Sequence, residues 1–253
     1  PLFMDPMIMN EKLDSLVCVI LSGGKGTRLQ SVVQDVPKPM ADISGEPFLS
    51  LLLTRMIAQG VKKFVLSVGY KRDVIINYYR ENPIAGVDIQ FAEEVEPLGT
   101  GGGIKHAASV LDSSNYLVLN GDSTCAADIS DFIESVEQSD QAAGVLVNHQ
   151  DDCARYGQIV FDPVTHRSLE MKEKNPNAGA GYINAGVYLL PRDFIASLPN
   201  GAFSFEEVGF PLLMENGLYA YGNTNKFIDI GVPEDYYAVC ANKSYYFPEV
   251  EGA

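Results

Sequence analysis

Short apolar runs alternate with helix-patterned stretches through the first half of this chain, and that rhythm restricts its fold more than any other feature. Leu16 to Leu21 is an apolar run that stops at Ser22-Gly23-Gly24, the pattern of a buried strand entering a glycine loop. Apolar residues at helical spacing follow from Phe48 to Gln59, and Gly60 ends them. Further strands are predicted at Phe64 to Val68, Val87 to Phe91, Tyr116 to Leu119 and Ala143 to Val147. The helices between them are predicted at Arg72 to Arg80, Ile104 to Leu111 and Ile129 to Gln138. Such alternation implies parallel βαβ units with helices on both faces of one sheet.

After Asn148 the rhythm changes. Gly157 to Phe161, Ser168 to Met171 and Tyr182 to Leu190 read as strands with short connections, which favours antiparallel pairing. A helix is predicted over Phe205 to Met214, strands over Tyr219 to Tyr221 and Lys226 to Ile230, and a last helix over Pro233 to Cys240, with proline in its first turn. The expected fold is α/β: a Rossmann-like open, mixed but mostly parallel sheet with helices on both faces and a smaller β-rich part folded over one end. Residues 1–14 read as a start-site extension or expression remnant and residues 15–253 as a single domain. In open sheets of this kind ligands bind beyond the carboxyl ends of the strands, where the strand order reverses. The glycine loop, Asn120-Gly121-Asp122 and Asp229-Ile230-Gly231 all fall at strand ends.

Charge narrows the ligand. Eighteen basic and 33 acidic residues leave a formal charge of −15, which argues against a nucleic-acid partner. A phosphorylated ligand would need the few cations gathered at one place, or a metal. The four cysteines, Cys18, Cys125, Cys153 and Cys240, form no C-x-x-C pair, so neither a zinc site nor a redox pair is signalled. They suit a reducing, cytoplasmic compartment. No apolar run reaches the length of about eighteen residues that a membrane span requires.

Gly23-Gly24-Lys25-Gly26-Thr27-Arg28-Leu29 follows the first strand. Its glycines allow backbone N–H groups to converge on phosphate oxygens, and Arg28 offers a bidentate contact. The residues alone leave a plain tight turn open. Neither common phosphate motif fits: Gly26 stands where the Walker loop needs Ser or Thr, and Leu29 where the dinucleotide fingerprint needs glycine. Prolines at 37 and 39 stiffen the backbone around Lys38 and pre-place its charge, although an exposed loop lysine stays open too. Asp122 and Asp229, each beyond an apolar strand and beside a glycine, read either as turn or cap aspartates or as a metal pair.

Gly-Gly-x-Gly-Thr-Arg-Leu followed by Pro-Lys-Pro resembles the sugar-1-phosphate nucleotidyltransferases, or nucleotide-sugar pyrophosphorylases. The likeness continues through Glu96-Pro97-Leu98-Gly99-Thr100-Gly101-Gly102, Asn120-Gly121-Asp122, Tyr156-Gly157, Glu173-Lys174, Asn184-Ala185-Gly186 and Asp229 to Glu234, in the family's order. The compact length and the wording at residues 96–102 and 229–236 look most like the D-glycero-D-manno-heptose 1-phosphate guanylyltransferases.

The resemblance implies a nucleotide-diphospho-sugar transferase fold. The implied reaction is transfer of a nucleotidyl group from a nucleoside triphosphate, GTP foremost, to a sugar 1-phosphate, a heptose 1-phosphate foremost, with release of pyrophosphate. A mannose-1-phosphate guanylyltransferase, a uridylyl- or thymidylyltransferase for another hexose, and a non-catalytic regulatory subunit are the alternatives. The product would feed a bacterial surface polysaccharide, and a homodimer stays open. By position, Asp122 and Asp229 are implied as ligands of Mg²⁺, and Arg28, Lys38 and Lys174 as catalytic cations. Leu21, Ser22, Gly23, Gly24, Gly26, Thr27, Glu96, Pro97, Gly99, Thr100 and Gly121 would bind the nucleotide. Tyr156, Gly157, Glu173, Asn184 and Gly186 would bind the sugar, with tight packing as the plainer role for Tyr156 and a strand-end hydrogen bond for Asn184.

Overall fold

The computed structural model describes residues 6–223 and 225–249. Residues 1–5 of the expected extension and 250–253 of the expected domain lie outside the described residues. The strands are β1 (Val17–Ser22), β2 (Asp42–Ile43), β3 (Glu46–Pro47), β4 (Lys63–Val68), β5 (Asp88–Glu93), β6 (Asn115–Asn120), β7 (Ser123–Cys125), β8 (Ala143–Gln150), β9 (Gln158–Phe161), β10 (Ser168–Lys172), β11 (Gly181–Pro191), β12 (Leu218–Asn223) and β13 (Phe227–Asp229). The helices are α1 (Pro6–Ser15), α2 (Phe48–Ala58), α3 (Arg72–Glu81), α4 (Gly99–Ala108), α5 (Ile129–Gln138), α6 (Arg192–Ser197), α7 (Phe210–Asn216), α8 (Pro233–Ala241) and α9 (Lys243–Tyr246).

β1 lies at the centre because it is apolar on both faces. Val17, Cys18, Val19 and Ile20 have no exposed surface. Alternate side chains leave a strand on opposite faces. Cys18 and Ile20 therefore join the core beneath α2, α3 and α5, while Val17 and Val19 join the core beneath α4 and α6. Helices thus cover both faces, the arrangement that a parallel sheet requires.

β1 pairs in parallel with β4 on one side and β6 on the other, and β5 extends the sheet beyond β4. The chain goes from β1 outward to β4 and β5, then returns to lay β6 on β1's other side. The loops after β1 and β6 therefore part, and a crevice opens between them at the carboxyl edge.

β8 does not pair with β6. Instead β11 stands between them, antiparallel to both. β12 adds to β8 in parallel, and β9 and β10 branch from the amino end of β11 as an antiparallel pair. The β11–β8 register shifts between Asn184 and Tyr188, where Gly186 has a φ of 72°. The sheet is mixed and mostly parallel at its centre, as the sequence pattern anticipated.

Several elements were not foreseen. The stretch expected as an extension folds from residue 6 into α1, and Met9 and Leu13 are buried in the main core. α4 starts at Gly99, not Ile104. Four glycines in its first turns hide the helix from propensity. A Cβ at Gly101 would stand 2.0 Å from the Phe203 ring, so the glycines let α4 lie directly on the 201–205 segment. β13 was foreseen, but its partner is the short strand β7, in a ribbon apart from the main sheet.

Candidate active site

The two loops of the crevice enclose a cavity of about 840 Å³. Its walls include Leu21, Ser22, Gly23, Gly24 and Gly26 from the glycine loop, Gly121 and Asp122 beyond β6, and Pro97, Gly99 and Thr100 around the start of α4. The size suits a nucleotide-sized ligand. At its rim the loop is pressed onto Lys38. Gly26 holds a left-handed φ of 56°, and a Cβ there would come within 2.7 Å of the Lys38 Cβ. Only glycine gives both the turn and the space.

Lys38 is buried, and its ammonium carries the centre of the site. Nζ donates to Asp122 Oδ2 at 2.8 Å and stands 3.5 Å from Asp229 Oδ1. The β7–β13 ribbon makes this meeting possible. Asp229 lies opposite Ser123 in its register, and Ile230 N–H donates to the Asp122 carbonyl at 2.9 Å. Two carboxylates 107 positions apart in the chain therefore face one cation. Burial and the negative charge of Asp122 hold the Asp229 carboxyl above the ordinary carboxylate range. Lys38, the bond from Gly231 N–H and the charge of Arg28 pull it down.

Arg28 is exposed on a short 3₁₀ turn beside Thr27, and its charge acts on Asp229 and on Tyr156. Lys174 is exposed in the loop after β10 and makes no hydrogen bond or ion pair among the described residues. Of the five charged groups expected together, Lys38, Asp122 and Asp229 touch, Arg28 reaches Asp229 through its field, and Lys174 stands apart from these contacts.

The residues expected to bind the sugar divide in the same way. Tyr156 packs edge-on against Phe227 with ring centroids 5.6 Å apart, and burial pushes its phenol up to about 12. Asn184 spends both ends of its amide on its own strand: Nδ2 donates to Tyr188 Oη at 2.7 Å, and Oδ1 accepts from Gly186 N–H at 2.9 Å. It braces the β11 bulge. A Cβ on Gly186 would meet the Asn120 amide at 2.5 Å. Gly157 precedes β9, where its carbonyl faces Asn184 N–H. Glu173 lines a second cavity.

Glu96 and Thr27 are exposed and outside the cavity wall. The carboxylate in that wall is Glu94, which sequence reasoning missed. It is buried, accepts from Ser67 Oγ at 2.8 Å and from Leu98 N–H at 3.0 Å, and lies under Gly23. Its sequence signal was an acidic residue immediately beyond a parallel strand, obscured by neighbouring glutamates at 93 and 96. Arg72 and Lys25 also line the cavity, and Arg72 donates to the Glu94 carbonyl at 3.0 Å.

The sequence model of the nucleotidyl transferases matches residues 17–244. The chain belongs to this nucleotidyl transferase family. It is 36% identical over 230 residues to the D-glycero-alpha-D-manno-heptose 1-phosphate guanylyltransferase of Campylobacter jejuni, covering 88% of this chain and 98% of that one. It is 33% identical over 222 residues to the mannose-1-phosphate guanylyltransferase of Mycobacterium tuberculosis, covering 86% of this chain and 62% of that one. The crystal structure of HddC from Yersinia pseudotuberculosis complexed with GMP-PN superposes with a TM-score of 0.81 and 40% identity, over 90% of this chain and 99% of that one. This nucleotidyl transferase thus has guanylyltransferases among its relatives. Its crevice stands where such sheet topology places a ligand.

Proposed function

We propose that the protein transfers a guanylyl group from GTP to D-glycero-alpha-D-manno-heptose 1-phosphate, giving GDP-heptose and pyrophosphate. The observation that carries this reading is the meeting of Lys38, Asp122 and Asp229 at the rim of a glycine-lined cavity. The reaction brings two anions together. A phosphate monoester is already largely ionised near neutrality, so alignment and charge neutralisation matter more than a general base. Backbone N–H groups of residues 23–26 hold the triphosphate. Arg28 faces the departing pyrophosphate, Lys38 the α-phosphate, and Lys174 the sugar phosphate. These cations act most strongly on charge that develops in the transition state.

Asp122 and Asp229 fit a divalent ion because they converge on one cationic position, which the Lys38 ammonium marks. Two carboxylates completed by phosphate and water oxygens suit Mg²⁺. When bound there, it supplies positive charge opposite the reacting phosphate oxygens.

Glu94 favours GTP. The guanine edge presents N1–H and N2–H₂ side by side, two donors for one carboxylate. Uracil and thymine turn carbonyl oxygens toward the same negative charge. The 36% identity to the heptose enzyme from C. jejuni supports the heptose substrate. The four free cysteines fit a reducing, cytoplasmic setting.

The test is pyrophosphate release with Mg²⁺ across GTP, ATP, UTP and dTTP, each with heptose 1-phosphate, mannose 1-phosphate and glucose 1-phosphate. Turnover with GTP and the heptose is expected to dominate. Turnover confined to UTP or dTTP would remove the base assignment, and turnover confined to a hexose would remove the sugar assignment.

A further inference from the structure

A second cavity, of about 690 Å³, lies between β10 and the π-helical turn at residues 205–209 that leads into α7. Glu206 belongs to the walls of both cavities. Its Oε2 accepts from Thr100 Oγ1 at 2.9 Å and from Ser204 Oγ at 3.1 Å, while Thr100 Oγ1 accepts from Phe205 N–H at 2.8 Å. The nucleotide side of the crevice therefore fixes the aim of this carboxylate. Both of its hydrogen bonds fall on Oε2, so Oε1 keeps its acceptor capacity. Single π turns of this kind re-aim a side chain at the cost of regular helix, and they recur at functional sites.

The chemistry of the cavity selects its occupant. Met171, Phe210 and Met214 give it apolar surface, and Glu173 and Glu206 give it acceptors. Ser168, 3% exposed, contributes a buried Oγ that has no hydrogen-bond partner among the described residues. Arg167, the cation in the wall, is already engaged by Gln141 Oε1 at 3.0 Å and the Met214 carbonyl at 3.4 Å. A phosphorylated ligand would thus meet carboxylates with no free cation to match among the described residues. A neutral polyol meets acceptors for its hydroxyls and an apolar surface for its C–H faces.

We infer that this cavity receives the exocyclic polyol arm of the sugar, with Glu206 as the acceptor that selects an arm of two hydroxylated carbons over the shorter arm of a hexose. The inference rests on the proposed sugar 1-phosphate reaction and assigns the part of its substrate that a hexose lacks. Glu206 lines both cavities, so a sugar whose ring hydroxyls meet Glu173 can extend its arm along this carboxylate.

The test is Glu206→Gln, which keeps shape and an acceptor for Thr100 but replaces the second oxygen with a donor. Kinetics with GTP are measured against heptose 1-phosphate and mannose 1-phosphate for wild type, Glu206→Gln and Glu206→Asp. The heptose-to-mannose ratio of kcat/KM is expected to fall about tenfold in Glu206→Gln, through KM for the heptose. Glu206→Asp, which retains the charge, recovers part of the ratio. An unchanged ratio, or a rise in the KM for GTP with both sugars equally affected, would show that Glu206 only braces Thr100. Wild-type enzyme that ignores the heptose altogether would overturn the substrate reading itself, and this inference with it.

Discussion

The parallel half of the sheet and the antiparallel half build their cavities from different material. β1, β4, β5 and β6 end in loops that offer mostly backbone: the glycine loop, Gly121 and the glycine-rich start of α4. β10, with the π-helical turn and α7, offers mostly side chains, among them Glu173 beyond the end of β10 and Glu206 in the turn. A phosphate chain has the same shape whatever it is attached to, so convergent N–H groups suffice to hold it. A sugar is distinguished by the positions of its hydroxyls, and that requires individually placed acceptors. The β7–β13 ribbon joins the two halves, with Asp122 drawn from the parallel side and Asp229 from the end of the chain.

The most forceful way to break this comparison is to remove the carboxylates one at a time. Asp122→Asn and Asp229→Asn should each lower kcat by about 10³-fold with little change in far-UV circular dichroism. Near-equal losses are expected because both carboxylates serve one centre. Near-normal activity in both variants would remove the pair from the reaction, and a large loss in only one would break the symmetry of the ribbon.

Glu94→Gln sharpens the division of labour at smaller cost. The amide keeps the volume but presents a donor where the proposed guanine would need an acceptor. The GTP-to-UTP ratio of kcat/KM should fall by about tenfold, while KM for the sugar phosphate holds. A change in sugar KM instead would mean that the parallel half does more than hold the nucleotide.

The two halves were not equally legible in the sequence. Strands buried on both faces read as continuous apolar runs, so β1, β4 and β6 were visible within about two residues, the usual uncertainty of such ends. α5 was visible to the residue because Asp128 caps it, accepting from Asp131 N–H at 2.9 Å. The position of β11 between β6 and β8 was not visible, because local periodicity carries no information on which strands pair across long loops. β7 escaped notice because Ser123-Thr124-Cys125 has no alternation to detect. The meeting of Asp122 with Asp229 followed from family resemblance, not from spacing. Glu94 and Glu206 stood outside the motifs, since only the folded chain turns them toward the cavities. Arg55 is another such case: buried under Phe247, it bonds Thr124 of β7, the Tyr246 carbonyl and Glu249, pinning the chain's last described turn behind the ribbon.

The smallest effect probes the charge that crosses between the halves. In the folded protein Asp229 titrates above its ordinary range, through burial and the neighbouring Asp122. The unfolded chain lets the same carboxyl titrate near the usual value of about 4. Between these two values the folded state holds more protons than the unfolded state, so stability falls as pH rises through the window. The penalty is absent below the ordinary value and fully present above the raised one. In the presence of chelator, Asp229→Asn should therefore raise the melting temperature at pH 7 by about 2–4 °C and leave it nearly unchanged at the acid end of the window. Asp122→Asn, which removes one of the two causes, should bring part of the same gain. Thermal melts across that pH range decide the matter. A melting temperature for Asp229→Asn at or below wild type at pH 7 would mean that the bond from Lys38 outweighs burial and repulsion, and that the carboxylate pair is held together with no stored electrostatic cost.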